Sequence, residues 1–328
     1  MGKDFVSFGE VMLRLTVPKG HSLGETKTFE VYVGGSELNV AIAASNIGLS
    51  TGFVTKLPAK GPSSQVFRTA RAYGVDVSHI ITSPDGRMGL YFHEFGTAQR
   101  AAHVVYDREN SAIRSLQPGE IDWSQVFADA RMFHTSGITA ALGPGPLAVL
   151  KEGLQKAKEM GLKVSFDLNY RATLWTPEEA GAVIRPLMEY VDILFASLDD
   201  IRLLLQIDKP TIAETYQGIA AEYGVPVIAG VANVPEHQGA PWTAFAWYEG
   251  ELLVDRREFR VETIDRIGAG DAFAAGFLWG YFKDQIPRGL AYGSAMLALK
   301  NAMLGDYFWG SPADIEEFLA EGPKLVKR

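Results

Sequence analysis

The segment Ile264-Asp265-Arg266-Ile267-Gly268-Ala269-Gly270-Asp271 follows a β-rich run and leads straight into the apolar stretch Ala272 to Phe282. That order predicts a glycine-rich turn at a helix N-terminus. Unpaired N–H groups and the positive end of the helix dipole attract an anion there, and the missing side chains let a phosphate approach the backbone. Asp271 falls in the first turn, where a carboxylate can take the proton of a hydroxyl attacking phosphorus, the base role of phosphoryl transfer. Taken alone, the segment reads equally well as a tight turn followed by a favourable first-turn acid.

A second constellation, Gly34-Gly35-Ser36-Glu37-Leu38-Asn39, again places glycines at a helix start. Paired glycines allow close approach of a polyhydroxylated ligand, and Asn39 offers a donor and an acceptor to vicinal hydroxyls; a backbone-satisfied helix residue is the plainer account of it. Third, Tyr106-Asp107-Arg108 ends a predicted strand, with Tyr91 on an earlier one. Arg108 can grip a carboxylate in two-pronged fashion, as can Arg171 in Asp167-Leu168-Asn169-Tyr170-Arg171, at the strand end where open α/β sheets bind ligands. Each arginine taken singly fits a surface ion pair as well. His134 also ends a strand and is expected to be a hydrogen-bonded core histidine with no catalytic role. Other signatures are missing: there is no G-x-x-x-x-G-K-[ST], no H-E-x-x-H and no G-x-S-x-G. Phe273 stands where a dinucleotide fingerprint needs its third glycine.

The elements that must position these residues alternate between strand and helix. Gly34 to Ile47 reads as a helix, Thr51 to Leu57 as a strand and Ser64 to Tyr73 as a helix. Met132 to His134, Lys163 to Leu168, Ile193 to Phe195 and Val225 to Ile228 read as strands, with a helix over Pro146 to Met160, an N-cap signature at Thr176-Pro177-Glu178-Glu179, and helices from Gly270 onward. This rhythm predicts a mostly parallel sheet with helices on both faces. Val11 to Val33 and Met88 to Tyr106 alternate polar and apolar residues instead, and predict antiparallel strands that pair as a small β lid. The division expected is a large α/β domain of residues 1–10, 34–87 and 111–328 with a lid of residues 11–33 and 88–110.

Composition bounds the rest. The chain has 328 residues, 47% of them hydrophobic and 21% charged, as in ordinary globular proteins. It carries 31 Lys and Arg against 39 Asp and Glu, a formal net charge of −8, which argues against nucleic-acid and anionic-membrane partners. Any anionic ligand must therefore meet a local cluster of cations. With no cysteine there are no disulfides, thiolate nucleophiles or thiolate metal sites. The N-terminus lacks the apolar core of a signal peptide, and the longest apolar run, Ala272 to Phe282, is well short of the roughly 20 residues of a membrane span, so a cytoplasmic protein is expected.

Together these segments resemble the ribokinase (PfkB) family of sugar kinases, whose two signatures are matched by Gly34 to Ala44 and Asp265 to Phe277. Within it the chain is most similar to bacterial 2-keto-3-deoxygluconate kinases, in Val54 to Pro58, Val105 to Arg108, His134 to Thr139, Asp167 to Arg171 and Leu187 to Asp192. The resemblance runs over nearly the whole chain. It implies a doubly wound α/β domain with a β lid, ATP and magnesium, and phosphorylation of the 6-hydroxyl of a keto-deoxy sugar acid. On that basis Asp271 is the base and the N–H groups of Gly268, Ala269 and Gly270 hold the transferring phosphoryl group. Arg108, Arg171, Tyr91 and Tyr106 hold the sugar acid; Gly34, Gly35 and Asn39 face its hydroxyls. Where the family carries Asn-x-x-Glu, organising magnesium-bound water, this chain has Ser197-Leu198-Asp199-Asp200. Asp200 takes the place of that carboxylate, acting on the metal through water. Ala229-Gly230-Val231-Ala232-Asn233 replaces a phosphate-contacting Thr-x-Arg or Thr-x-Gly, leaving Gly230 with Ser197 and Asp200 on the nucleotide side. Another ketose or keto sugar acid as substrate, and a sugar-acid-binding protein without phosphoryl transfer, stay open, and a homodimer formed through the lid is expected.

Overall fold

The computed structural model describes residues 2–97, 99–232, 242–259 and 261–322. Its strands are β1 (Lys3–Phe8), β2 (Met12–Thr16), β3 (Glu30–Gly34), β4 (Thr51–Val54), β5 (Lys56–Pro58), β6 (Ile81–Ser83) and β7 (Gly89–Glu94). They continue with β8 (His103–Asp107), β9 (Ala130–Ser136), β10 (Lys163–Asp167), β11 (Ile193–Phe195), β12 (Val227–Ala232), β13 (Thr243–Tyr248) and β14 (Glu251–Asp255).

The main sheet has eight strands in the order β14-β13-β12-β11-β10-β9-β1-β4. It is parallel from β4 to β12, and β13 and β14 add antiparallel at one edge. Successive residues along its strands enter different cores. Phe5, Met132, Ile193, Val227 and Ala244 belong to one buried cluster, and their neighbours Val6, Phe133, Leu194, Ile228 and Phe245 to another on the opposite face. A strand buried on both sides must be apolar throughout, which explains why these runs show no alternation.

Helices fall where the end signals place them. Ser36–Asn46 starts after Gly35, Pro144–Glu159 starts two residues earlier than expected, and Pro177–Leu187 begins in a capping box in which Thr176 accepts from the Glu179 N–H. Ala269–Phe282, Ile286–Asn301 and Pro312–Glu321 close the described chain. Among the described residues no helix is long and apolar enough to cross a membrane.

Two expectations are corrected. Thr51 to Leu57 is not one strand: β4 joins the main sheet, while β5 leaves it after Thr55 to pair with β6. The second sheet, ordered β3-β2-β7-β8, is not antiparallel throughout. Its two hairpins are antiparallel, but β2 and β7 run parallel, because the chain crosses the large domain between them. This small sheet has two distinct faces. Register puts Tyr32, Arg14, Tyr91 and Tyr106 in one row across the strands, and Val31, Leu15, Phe92 and Val105 in the next. The first row turns inward: Arg14 and Tyr91 are buried, whereas Val31 and Val105 of the second are exposed.

Candidate active site

The chain starts at β1, builds to β4 on one side and returns to β9 on the other. The strand order reverses there, and the strand ends open toward the two glycine-bearing helix starts, the usual position of a ligand crevice. Gly268 caps the Ala269–Phe282 helix in the left-handed region at φ 78°. Asp271, in the first turn, is buried. Both its oxygens are occupied from the neighbouring helix start: the Ser36 hydroxyl donates to Oδ1 and the Asn39 amide to Oδ2, each at 2.7 Å. Asn169, at φ 40°, donates to the Ser36 hydroxyl at 2.8 Å and extends the chain of bonds. Burial pushes the Asp271 carboxyl above its ordinary value, and the bonds from Asn39 and Ser36 oppose that rise. The result is an oriented carboxylate with raised proton affinity, which is what a general base requires.

This placement revises the expected role of Asn39. One of its amide N–H groups donates to Asp271, and its Oδ1 accepts from the Gly35 N–H at 3.4 Å, so it orients the carboxylate as well as holding a second N–H. The glycines divide in the same way. A Cβ at Gly34 would collide with the Asp306 carboxylate, at Gly35 with the Glu10 carbonyl, at Gly268 with the Asp306 carbonyl and at Gly230 with the Ala196 carbonyl. These four are required by close packing of the protein on itself. At Gly270 a Cβ would meet nothing within 4 Å, so there the backbone faces open room. Ala269 is corrected too: its N–H bonds the Arg266 carbonyl at 3.2 Å inside the turn, which leaves Gly268, Gly270 and Asp271 as the donors of the helix start.

Arg108 is a buried ion pair rather than a surface one. Its Nε donates to Glu10 at 2.7 Å, its guanidinium lies 4.0 Å from the Tyr106 ring centroid, and its Nη1 is buried without a partner. A buried guanidinium nitrogen lacking an acceptor is costly, and an anionic ligand oxygen would relieve it. The Tyr91 ring lies tilted against Tyr106, with centroids 5.5 Å apart, but its hydroxyl donates to Asp306, so the hydroxyl expected to help hold the sugar acid is engaged by the protein itself. Arg171 is exposed and acts through its charge on Asp167, Asp200 and Asp271. Ser197 caps the short helix Leu198–Asp200 by accepting from the Asp200 N–H at 3.0 Å. Burial raises the Asp200 carboxyl. Asn233 lies outside the described residues.

Sequence reasoning passed over several participants. Asp167, at the end of β10, is held well above the usual carboxylate range by burial and by the charges of Asp271 and Asp200. Its place at a strand end beside Asn169 was the available signal. Ser36 and Glu10 gave none, because each acts through a partner distant in sequence. His134, as expected, is a core residue bonded to Ser165 at 3.0 Å, and burial lowers it to about 3.

Comparison with known proteins is consistent with this geometry. Residues 3–296 match the model of the pfkB family carbohydrate kinases. The chain is 34% identical to a 2-dehydro-3-deoxygalactonokinase of Haloferax volcanii, over the full length of both. It is 30% identical to a 5-dehydro-2-deoxygluconokinase of Bacillus licheniformis, covering 90% of this chain and 89% of the other. Among solved structures, a 2-dehydro-3-deoxygluconokinase from Thermotoga maritima superposes with a TM-score of 0.92 at 34% identity, covering 98% of this chain and 99% of that one.

Proposed function

The chain belongs to the pfkB family of carbohydrate kinases, and on that premise we propose that it transfers the γ-phosphate of ATP to the 6-hydroxyl of 2-keto-3-deoxygluconate. The observation that carries the reading is Asp271, fixed by Ser36 and Asn39 beside the open backbone face of Gly270. A sugar hydroxyl lying against Asp271 gives up its proton to the carboxylate as its oxygen attacks phosphorus. The Gly270 and Asp271 N–H groups then face the charge on the transferring group.

A carboxylate on the substrate suits the other end of the pocket. Arg108 has a buried nitrogen without a partner, Arg171 is exposed, and the Tyr106 ring lies 4.0 Å from the Arg108 guanidinium. The small sheet then serves as the lid, built from residues 11–33 and 88–110. The Haloferax relative favours a second reading in the same class, the C4 epimer 2-keto-3-deoxygalactonate.

Magnesium fits the carboxylates present. Among the described residues no three acidic or histidine side chains are grouped to hold a metal alone, which suits an ion that keeps its waters and leans on substrate phosphates. Asp200 and Asp167, both raised by burial and the second also by the charge of the first, are the residues that would hold it, through water. When bound, the ion neutralises charge on the phosphates. ATP as donor also accords with a cytoplasmic location.

The outer row of exposed Val31 and Val105 with half-buried Leu15 and Phe92, and exposed Phe29 against Phe92, supports a homodimer through the lid. An apolar sheet face of this kind seeks a second layer.

Asp271→Asn separates binding from chemistry. Sugar-acid affinity by calorimetry should stay within a few-fold while ADP release falls on the order of 10²–10⁴-fold. Wild-type protein that binds the sugar acid yet releases no ADP would refute the transferase reading.

A further inference from the structure

We propose that Lys300 is a positioning residue for the anion-binding turn, its buried ammonium tying the segment that enters the turn to the loop packed beneath it. The inference rests on the reading that this turn holds the transferring phosphoryl group. Lys300 is 0% exposed, near the end of the Ile286–Asn301 helix. Its Nζ donates to the Asp265 carbonyl at 3.2 Å and to the Met303 carbonyl at 3.0 Å. Asp265 is the residue from which the turn departs. Its carboxylate accepts from the Ile267 N–H at 3.2 Å, the Gly305 N–H at 3.1 Å and the Arg14 guanidinium at 2.8 Å. Met303 begins the loop whose Asp306 carbonyl lies against Gly268, so closely that no side chain fits there. Lys300 thus grips both layers of the turn.

Lysine is rarely buried completely, since its ammonium loses water that only several acceptors replace. The charged groups around it come from each packed element: Asp265 before the turn, Asp306 in the loop below, Arg14 on β2 and Asp271 in the helix above. Burial lowers the ammonium to about 8, against the pull of Asp265 and Asp306. The protonated form donates to both carbonyls while adding positive charge behind the turn. Loss of the proton weakens the clamp within an ordinary experimental range of pH.

The test compares wild type with Lys300→Arg and Lys300→Met by steady-state ADP release from pH 6.5 to 9.5, and by hydrogen exchange of the peptide spanning residues 264–271. Wild-type kcat should fall above about pH 8. Lys300→Arg should keep much of the activity and lose that alkaline fall, because a guanidinium stays charged throughout the range. Lys300→Met should lose on the order of 10²-fold in kcat at pH 7, the scale of a misplaced catalytic geometry, with sugar-acid affinity nearly unchanged. Exchange of the 264–271 peptide should quicken in Lys300→Met, and in wild type only above pH 8 beyond the intrinsic rate. Unchanged kcat and exchange in Lys300→Met, or the same alkaline fall in Lys300→Arg, would overturn the proposal. If Lys300→Met does not fold, the arginine profile decides. A wild type with no ADP release but this exchange pattern would sink the kinase chemistry and leave the clamp standing.

Discussion

Arg108 has one partner in place: its Nε holds the Glu10 carboxylate, while its Nη1 is buried without one. Arg108→Leu should therefore raise KM for the sugar acid roughly 10- to 100-fold, the worth of a charge-assisted bond of about 1.5–3 kcal/mol. It should also lower stability by about 3–5 kcal/mol, because Glu10 is left buried and unpaired. Adding Glu10→Leu should restore much of the stability and none of the affinity; a double variant that binds like wild type would remove Arg108 from the pocket. Glu37 offers a second residue-level test. It is fully buried, accepts from Ser136 at 2.6 Å and Thr139 at 2.7 Å, and burial lifts its carboxyl to about 7. A raised carboxyl favours the fold below the unfolded value near 4.5 and loses that contribution as pH climbs to about 7. Between pH 4.5 and 7.5, Glu37→Gln should gain stability relative to wild type on the order of 2–4 kcal/mol by chemical denaturation. Parallel curves would assign the pH dependence elsewhere. At this scale the sequence marked Asp271 and the glycine-rich turn, since both lie in one local segment. It did not show that Asn39 orients Asp271, that Tyr91 belongs to Asp306, or that Glu10 holds Arg108, because those pairings arise only when distant elements meet.

The secondary elements were more legible than their pairing. Helix ends carried explicit caps, and Thr176 at Pro177–Leu187 formed the capping box its sequence announces. Strand partners are not encoded locally, so the parallel pairing of β2 with β7 and the departure of β5 after Thr55 were hidden. The small sheet carries the prediction proper to this scale. If its outer row of Val31, Leu15, Phe92 and Val105 docks on a second copy, replacing exposed Val31 and Val105 with Glu should shift the light-scattering mass from dimer to monomer at micromolar concentration. Wild type that is monomeric under the same conditions would end the lid-mediated assembly.

Across the molecule, a net charge of −8 must still admit two anionic ligands. On the proposed reading this is met by local concentration: Arg108 and Arg171 would serve the sugar acid, and Lys300 lies behind the glycine-rich turn. Such an arrangement predicts a preference for substrates that bring their own negative charge to the lid end. The direct measurement is coupled ADP release with ATP and magnesium across 2-keto-3-deoxygluconate, its C4 epimer 2-keto-3-deoxygalactonate, ribose and fructose, comparing kcat/KM. One of the two keto-deoxy acids should lead, with the neutral sugars at least 10-fold behind, as a lost charge-assisted bond of about 1.5–3 kcal/mol requires. A higher kcat/KM for ribose or fructose would contradict the account.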